Sequence, residues 1–103
     1  MTDQQTPLDI KTLRKAAEIL KTMAHPVRLD IVQYLGDQER AVKEIQAAIG
    51  KPQAIVSQQL CVMRERGVLT ARRDGTTVYY SVAHPFVLYV LNCMLRCVQE
   101  AHL

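Results

Sequence analysis

A chain of 103 residues, 49% of them apolar and with a formal net charge of +3, has the size and material for one folded domain. It lacks a run of about 18 apolar residues and a basic segment leading into an apolar one, so a membrane span and a signal peptide are not expected and a cytoplasmic location is. Three cysteines, Cys61, Cys93 and Cys97, are odd in number and not spaced as a disulfide framework, which fits reduced thiols.

The polar start, residues 1–7, has nothing to bury and is expected to be flexible, leaving 8–103 as a single domain. From Leu8 to Met23 the apolar residues Ile10, Leu13, Ala16, Ala17, Leu20 and Met23 recur at three- and four-residue steps between charged ones, which predicts an amphipathic helix. His25-Pro26 interrupts it. Pro26 at a first helical position then opens a second helix that Gly36 stops. Val42, Ile45, Ala48 and Ile49 outline a short third helix ending at Gly50, and Pro52 starts a fourth that runs to Arg66 and is closed by Gly67. Beyond Gly67 the period changes: Val68 to Arg73 and Thr76 to Val82 are two β-prone runs around an Asp74-Gly75 turn, hence a β-hairpin. His84-Pro85 begins a last helix, and from Phe86 to Leu95 its only polar residue is Asn92. A helix apolar on nearly every side must be covered on more than one side, which implies packing on the core with one face and on a second copy of the chain with another. The expected fold is mainly α with a small β-hairpin wing, in the order α-α-α-α-β-β-α.

Two short helices joined by a tight turn and followed by a basic hairpin form the winged helix-turn-helix layout, in which the second helix of the pair enters the major groove of DNA. Charge supports this: residues 40–73 carry seven basic and two acidic side chains, the rest of the chain six basic and eight acidic. At 100° per residue, Val56, Leu60 and Met63 form the buried side of the fourth helix, with Ile55, Gln59 and Val62 nearby. The opposite side displays Gln53, Ala54, Ser57, Gln58, Cys61, Arg64 and Glu65. Gln and Ser side chains donate to and accept from base edges, and Arg64 can reach guanine or a phosphate, so Gln53, Ala54, Ser57, Gln58 and Arg64 are candidate readers of double-stranded DNA. In the hairpin, Arg72, Arg73, Thr76 and Thr77 would lie along the sugar-phosphate edge and supply affinity more than sequence choice.

The stretch Leu20-Lys-Thr-Met-Ala-His-Pro-Val-Arg-Leu29, the run Val56-Ser-Gln-Gln-Leu60 with Met63 and Gly67-Val-Leu69, and the wing Arg73-Asp-Gly-Thr-Thr-Val-Tyr-Tyr80 resemble the arsenic-repressor and metallothionein-repressor (ArsR/SmtB) family. The resemblance spans roughly residues 10–100. It implies a homodimeric repressor joined through its first and last helices and released from a DNA operator by an inducer. The family's inducer positions are mostly changed here. Where a soft-metal cysteine motif would precede the third helix, Ala41 and Lys43 stand within Glu39-Arg-Ala-Val-Lys-Glu44. The zinc-sensor positions of the last helix become His84, Phe86, Cys97 and Glu100, and Phe86 cannot bind a metal. Sulfide-responsive relatives pair a second-helix cysteine with one in the last helix, and the second-helix position is Gln33.

The remaining sensing candidates are thiols. Cys93 and Cys97, four apart with Phe86, Tyr89 and Glu100 on the same face, could take a soft metal or metalloid ion with ligands from a second subunit, His84 and Glu100 being further candidate ligands; as small apolar fillers of a dimer interface they would need no ligand. Cys61 falls on the DNA-facing side near Arg64, where a reactive oxygen or sulfur species would add bulk or charge against the phosphates; an unreactive thiol is the alternative. His25 and His84 each precede a proline at a helix start, where capping or a plain surface role is expected. A winged-helix module that grips a protein partner instead of DNA is the alternative function. No His, Asp or phosphate-loop constellation suited to an enzyme is apparent.

Overall fold

The computed structural model describes residues 9–103. The segment 1–7, expected to be flexible, lies outside the described residues, as does Leu8, where the first helix was expected to start.

The first three helices begin at side-chain contacts that serve otherwise unpaired backbone groups, whereas the last two have no side-chain cap. Helix α1 (Ile10–Met23) is capped by the Asp9 carboxylate, which accepts from the Thr12 N–H at 2.8 Å. Helix α2 (Pro26–Leu35) has Pro26 in its first turn, and His25 accepts from the Val27 N–H through Nδ1 at 3.2 Å, the capping role expected of it. Two residues, Arg40–Ala41, then form a strand β1 that the sequence pattern did not reveal. Helix α3 (Val42–Ile49) starts directly after it, with Glu44 accepting from the Ala41 N–H at 2.9 Å, and ends at Gly50, whose φ of 71° and ψ of 17° are left-handed. Helix α4 (Gln53–Glu65) follows three residues after α3. The wing is β2 (Leu69–Asp74) and β3 (Thr77–Val82), and α5 (Pro85–Glu100) closes the described chain.

The three strands form an antiparallel sheet in the order β1-β3-β2. Asp74 pairs with Thr77, so the hairpin loop is Gly75-Thr76, one residue later than the expected Asp74-Gly75. Gly75 has φ of 65° and Thr76 does not share the positive φ, the pattern of a turn that needs glycine at its first central position. On the inner face of the sheet Leu69 opposes Val82 and Ala71 opposes the buried Tyr80.

The core is built from Ile31, Val32 and Leu35 of α2, Ile45 and Ile49 of α3, Val56, Leu60 and Met63 of α4, Val68 and Leu69 before and within β2, and Val87 and Leu91 of α5. Each fully buried aliphatic side chain contributes about 1.5–3 kcal/mol relative to exposure, so the α2–α4 contact is the mechanical base on which the helix pair rests. Helix α1 shares little of this core. Met23 and Thr22 are buried at its end, but Ile10, Leu13 and Leu20 are at least half exposed. The Thr22 hydroxyl donates to the Glu18 carbonyl at 2.9 Å, which satisfies it.

Candidate nucleic-acid interface

Position comes first for a helix that reads another molecule, and α4 is held on three sides. Val56, Leu60 and Met63 are sealed in the core, as their spacing requires. Arg28 of α2 donates from Nε to the Gln59 side-chain oxygen at 2.6 Å and from a terminal nitrogen to the Thr22 carbonyl at 3.0 Å, tying α4 to α2 and to the last turn of α1. Gln46 of α3 donates to the Ser57 hydroxyl at 3.3 Å across the helix pair. Ser57, expected to face outward, is therefore half-buried and engaged, and Ile55, expected near the buried side, is 41% exposed. Gln53, Ala54, Gln58, Cys61 and Arg64 are exposed as expected.

In front of the start of α4 lies an open cleft of about 690 Å3, bounded by Lys43 and Gln46 of α3, Gln53 of α4, and Thr76, Thr77 and Tyr79 of the wing. The sequence pattern marked Gln53 and the two threonines and counted Lys43 only as part of the basic stretch 40–73; it gave no sign of Gln46. Residues at the start of α3 reach the cleft because the tight Gly50-Lys51-Pro52 turn sets the start of α4 close beside α3.

The two wing arginines occupy unlike settings, since neighbours on a strand point to opposite faces. Arg72 donates from Nε to Glu39 Oε2 at 3.0 Å and from Nη2 to Glu39 Oε1 at 2.8 Å, a two-pronged contact. Its guanidinium lies 4.7 Å from the centre of the Tyr79 ring, and Nη1 is 4.0 Å from Asp74. Hydrogen bonding from Arg72 holds the Glu39 carboxyl below its ordinary value, and the same contact raises Arg72. Arg73 is exposed and makes no hydrogen bond or ion pair among the described residues. Within the wing Tyr80 is buried, and that burial pushes its phenol above its usual value.

Residues 25–71 match the family model described as bacterial regulatory protein, arsR family. The transcriptional repressor PagR of Bacillus anthracis is 43% identical over 88 residues, covering 84% of this chain and 88% of that protein. Its crystal structure aligns with a TM-score of 0.76 at 40% identity, over 84% of this chain and 99% of PagR. This chain belongs to the ArsR family. The transcriptional repressor SmtB of Mycobacterium tuberculosis is 37% identical over 86% of this chain and 67% of its own. A homodimeric winged helix-turn-helix DNA-binding domain from Mycobacterium bovis, solved in solution, aligns at 30% identity with a TM-score of 0.76, covering 98% of this chain and 93% of that one. The winged helix-turn-helix fold and the role of DNA-binding transcriptional regulator, rather than enzyme, follow from this membership, in agreement with the sequence reading.

The residues at the last-helix inducer positions implied by the resemblance are spread along α5. His84 is exposed at the start of α5, caps nothing through its side chain and stacks on Phe86 with ring centres 5.5 Å apart. Cys93 is half-buried, Cys97 and Glu100 are exposed, and Cys61, Cys93 and Cys97 are free thiols. His84 and Cys97 are thirteen residue steps apart along α5, about 20 Å at 1.5 Å per step, so the two cannot meet on one ion within a single chain. No group of three or more His, Cys, Asp or Glu suited to a metal is assembled among the described residues. Nor is any helix among them long and apolar enough to cross a membrane.

Proposed function

We propose that residues 8–103 form one domain that acts as a homodimeric repressor, laying α4 in the major groove of a double-stranded operator with the wing along the backbone. The observation that carries this reading is the division of α4 into a sealed side, Val56, Leu60 and Met63, and an outer side bearing Gln53, Ala54, Gln58 and Arg64 beside a cleft that α3 and the wing complete. Gln58 reads a base edge, Gln53 and Arg64 flank it, and Ser57 positions the helix through Gln46. Arg73, Thr76 and Thr77 grip the phosphates, joined by Lys43. Dimerisation uses α1 and α5, whose Leu13, Leu20, Phe86, Val90 and Met94 remain exposed in one chain, with Leu20, Phe86 and Val90 lining an apolar cleft of about 310 Å3.

The releasing signal in this proposal is a thiol-reactive species, or a soft metal or metalloid ion that the Cys93 and Cys97 sulfurs hold together with groups of the second copy, because a single chain offers such an ion too few ligands. Cys61, exposed on the outer side of α4, is where modification would meet DNA.

The test is a titration of the full chain against a duplex from the region upstream of its own gene and an unrelated duplex of equal length, over a range of salt. Tight, salt-sensitive binding to the first and weaker binding to the second is expected, with Arg73→Ala lowering the slope of log affinity against log salt by about 0.9 per wing. Indifference to both duplexes at low salt favours the protein-partner alternative. Repeating the titration with oxidant, persulfide donor, arsenite and zinc ranks the signals.

A further inference from the structure

Arg72 and Glu39 lie 33 residues apart in the chain and are brought together by the two-residue strand β1. Arg40 pairs with Tyr80 and Ala41 with Tyr79 along β3, so the residue just before β1 is fixed against the outer face of the wing, where Tyr79 opposes Arg72 on β2. Glu39 takes both hydrogen-bonding nitrogens on one edge of the guanidinium, the Tyr79 ring covers one face, and Asp74 stands beside the remaining nitrogen. A phosphate seeking the same two-pronged contact would have to displace a carboxylate already in that geometry. Two acidic groups, Glu39 and Asp74, thus balance the two wing arginines, and the residual grip on a polyanion falls to Arg73.

We propose that Glu39 is a positioning residue that holds Arg72 off the DNA backbone, so that each wing engages phosphate through Arg73 and keeps Arg72 in reserve. The inference rests on the DNA-binding reading above. It gives β1 a purpose: the strand is too short to stabilise a sheet, yet it sets the carboxylate that tempers the affinity of the wing. A repressor that must leave its operator gains from moderate affinity, because every phosphate contact deepens non-specific binding on all other DNA as well.

The experiment compares the unaltered protein, Glu39→Gln and the double variant Glu39→Gln/Arg72→Ala on the same two duplexes across a salt series. Glu39→Gln should bind both duplexes several-fold to about tenfold more tightly at low salt, with a slope steeper by about 0.9 per wing. The double variant should return to the slope of the unaltered protein. If Glu39→Gln leaves slope and affinity unchanged, or if the double variant keeps the gain so that loss of one negative charge explains it, the assignment is overturned while DNA binding stands. Failure of the unaltered protein to bind either duplex overturns the DNA-binding reading and this assignment together. A readout free of DNA checks the contact itself: the Arg72 Nε–H signal should be protected from solvent exchange in the unaltered protein and lose that protection in Glu39→Ala, which removes the acceptor. Equal exchange in both proteins also overturns it.

Discussion

The two ends of the molecule solve opposite problems with the same kind of element. Along α4 Val56, Leu60 and Met63 are sealed and Gln53, Gln58 and Arg64 displayed, with Ile55 the one large apolar side chain left exposed, whereas along α1 and α5 several stand in the open: Leu20 is 56% exposed, Phe86 49% and Tyr89 71%. A polar outer side beside a cleft suits a charged, hydrogen-bonding partner, and an apolar one suits a second protein surface that excludes water. The contrast can be broken most sharply at the apolar end. Leu20→Glu combined with Val90→Glu should leave the helical content of one chain intact, because both side chains are surface groups there, while sedimentation shows a monomer. Operator affinity should fall by about a hundredfold or more, since one half-site no longer tethers the other. A variant that remains dimeric, or a monomer that binds as tightly as before, would place the second copy elsewhere.

A smaller effect separates the two sides of α4 itself. Leu60→Ala removes a buried side chain and should cost about 2–5 kcal/mol of folding stability, read as a lower denaturation midpoint, with little change in the affinity of the molecules that remain folded. Gln58→Ala, only two residues away, should leave the midpoint unmoved and cost about 1–3 kcal/mol of discrimination between the operator and an unrelated duplex. If Gln58→Ala weakens both duplexes equally, Gln58 touches backbone rather than a base.

What could be read from the sequence divides along the same line between local and distant causes. Helices α1 to α5 announce themselves because periodicity, prolines and glycines act within one or two turns: Pro26 and Gly36 bound α2 to the residue. The buried triad Val56, Leu60 and Met63 follows from the 3.6-residue repeat alone. Strand β1 could not be read this way, since two residues carry no period and Arg40–Ala41 becomes a strand only because β3 offers an open edge. The same limit governs the side chains whose partners lie far along the chain. Ser57 looked like a free hydroxyl and is engaged by Gln46; Arg28 was one residue of a family-like stretch and is the bracket behind α4; Arg72 looked equivalent to Arg73 and is paired with Glu39. The cleft residue Lys43 belongs to this class too, because only the packing of α3 beside α4 sets it near the wing.

The smallest effect is the most local probe of that difference between the wing arginines. Hydrogen bonding from Arg72 is what chiefly favours the ionised form of Glu39; desolvation opposes it, and the charge of Arg72 adds the smallest, favourable part. A carboxyl depressed in the folded state stabilises the fold above its ordinary pKa, and that stabilisation is lost as pH falls through the depressed value. Both groups are solvent-exposed, so the consequence is better followed as a titration than as a change in stability. A carboxyl-carbon NMR titration of the free protein should find Glu39 ionising below an ordinary glutamate, with Arg72→Ala returning it towards the ordinary value and Arg73→Ala leaving it in place. Equal shifts from the two substitutions would mean that Glu39 responds to the general positive field of the wing, and the distinction between a held arginine and a free one would disappear.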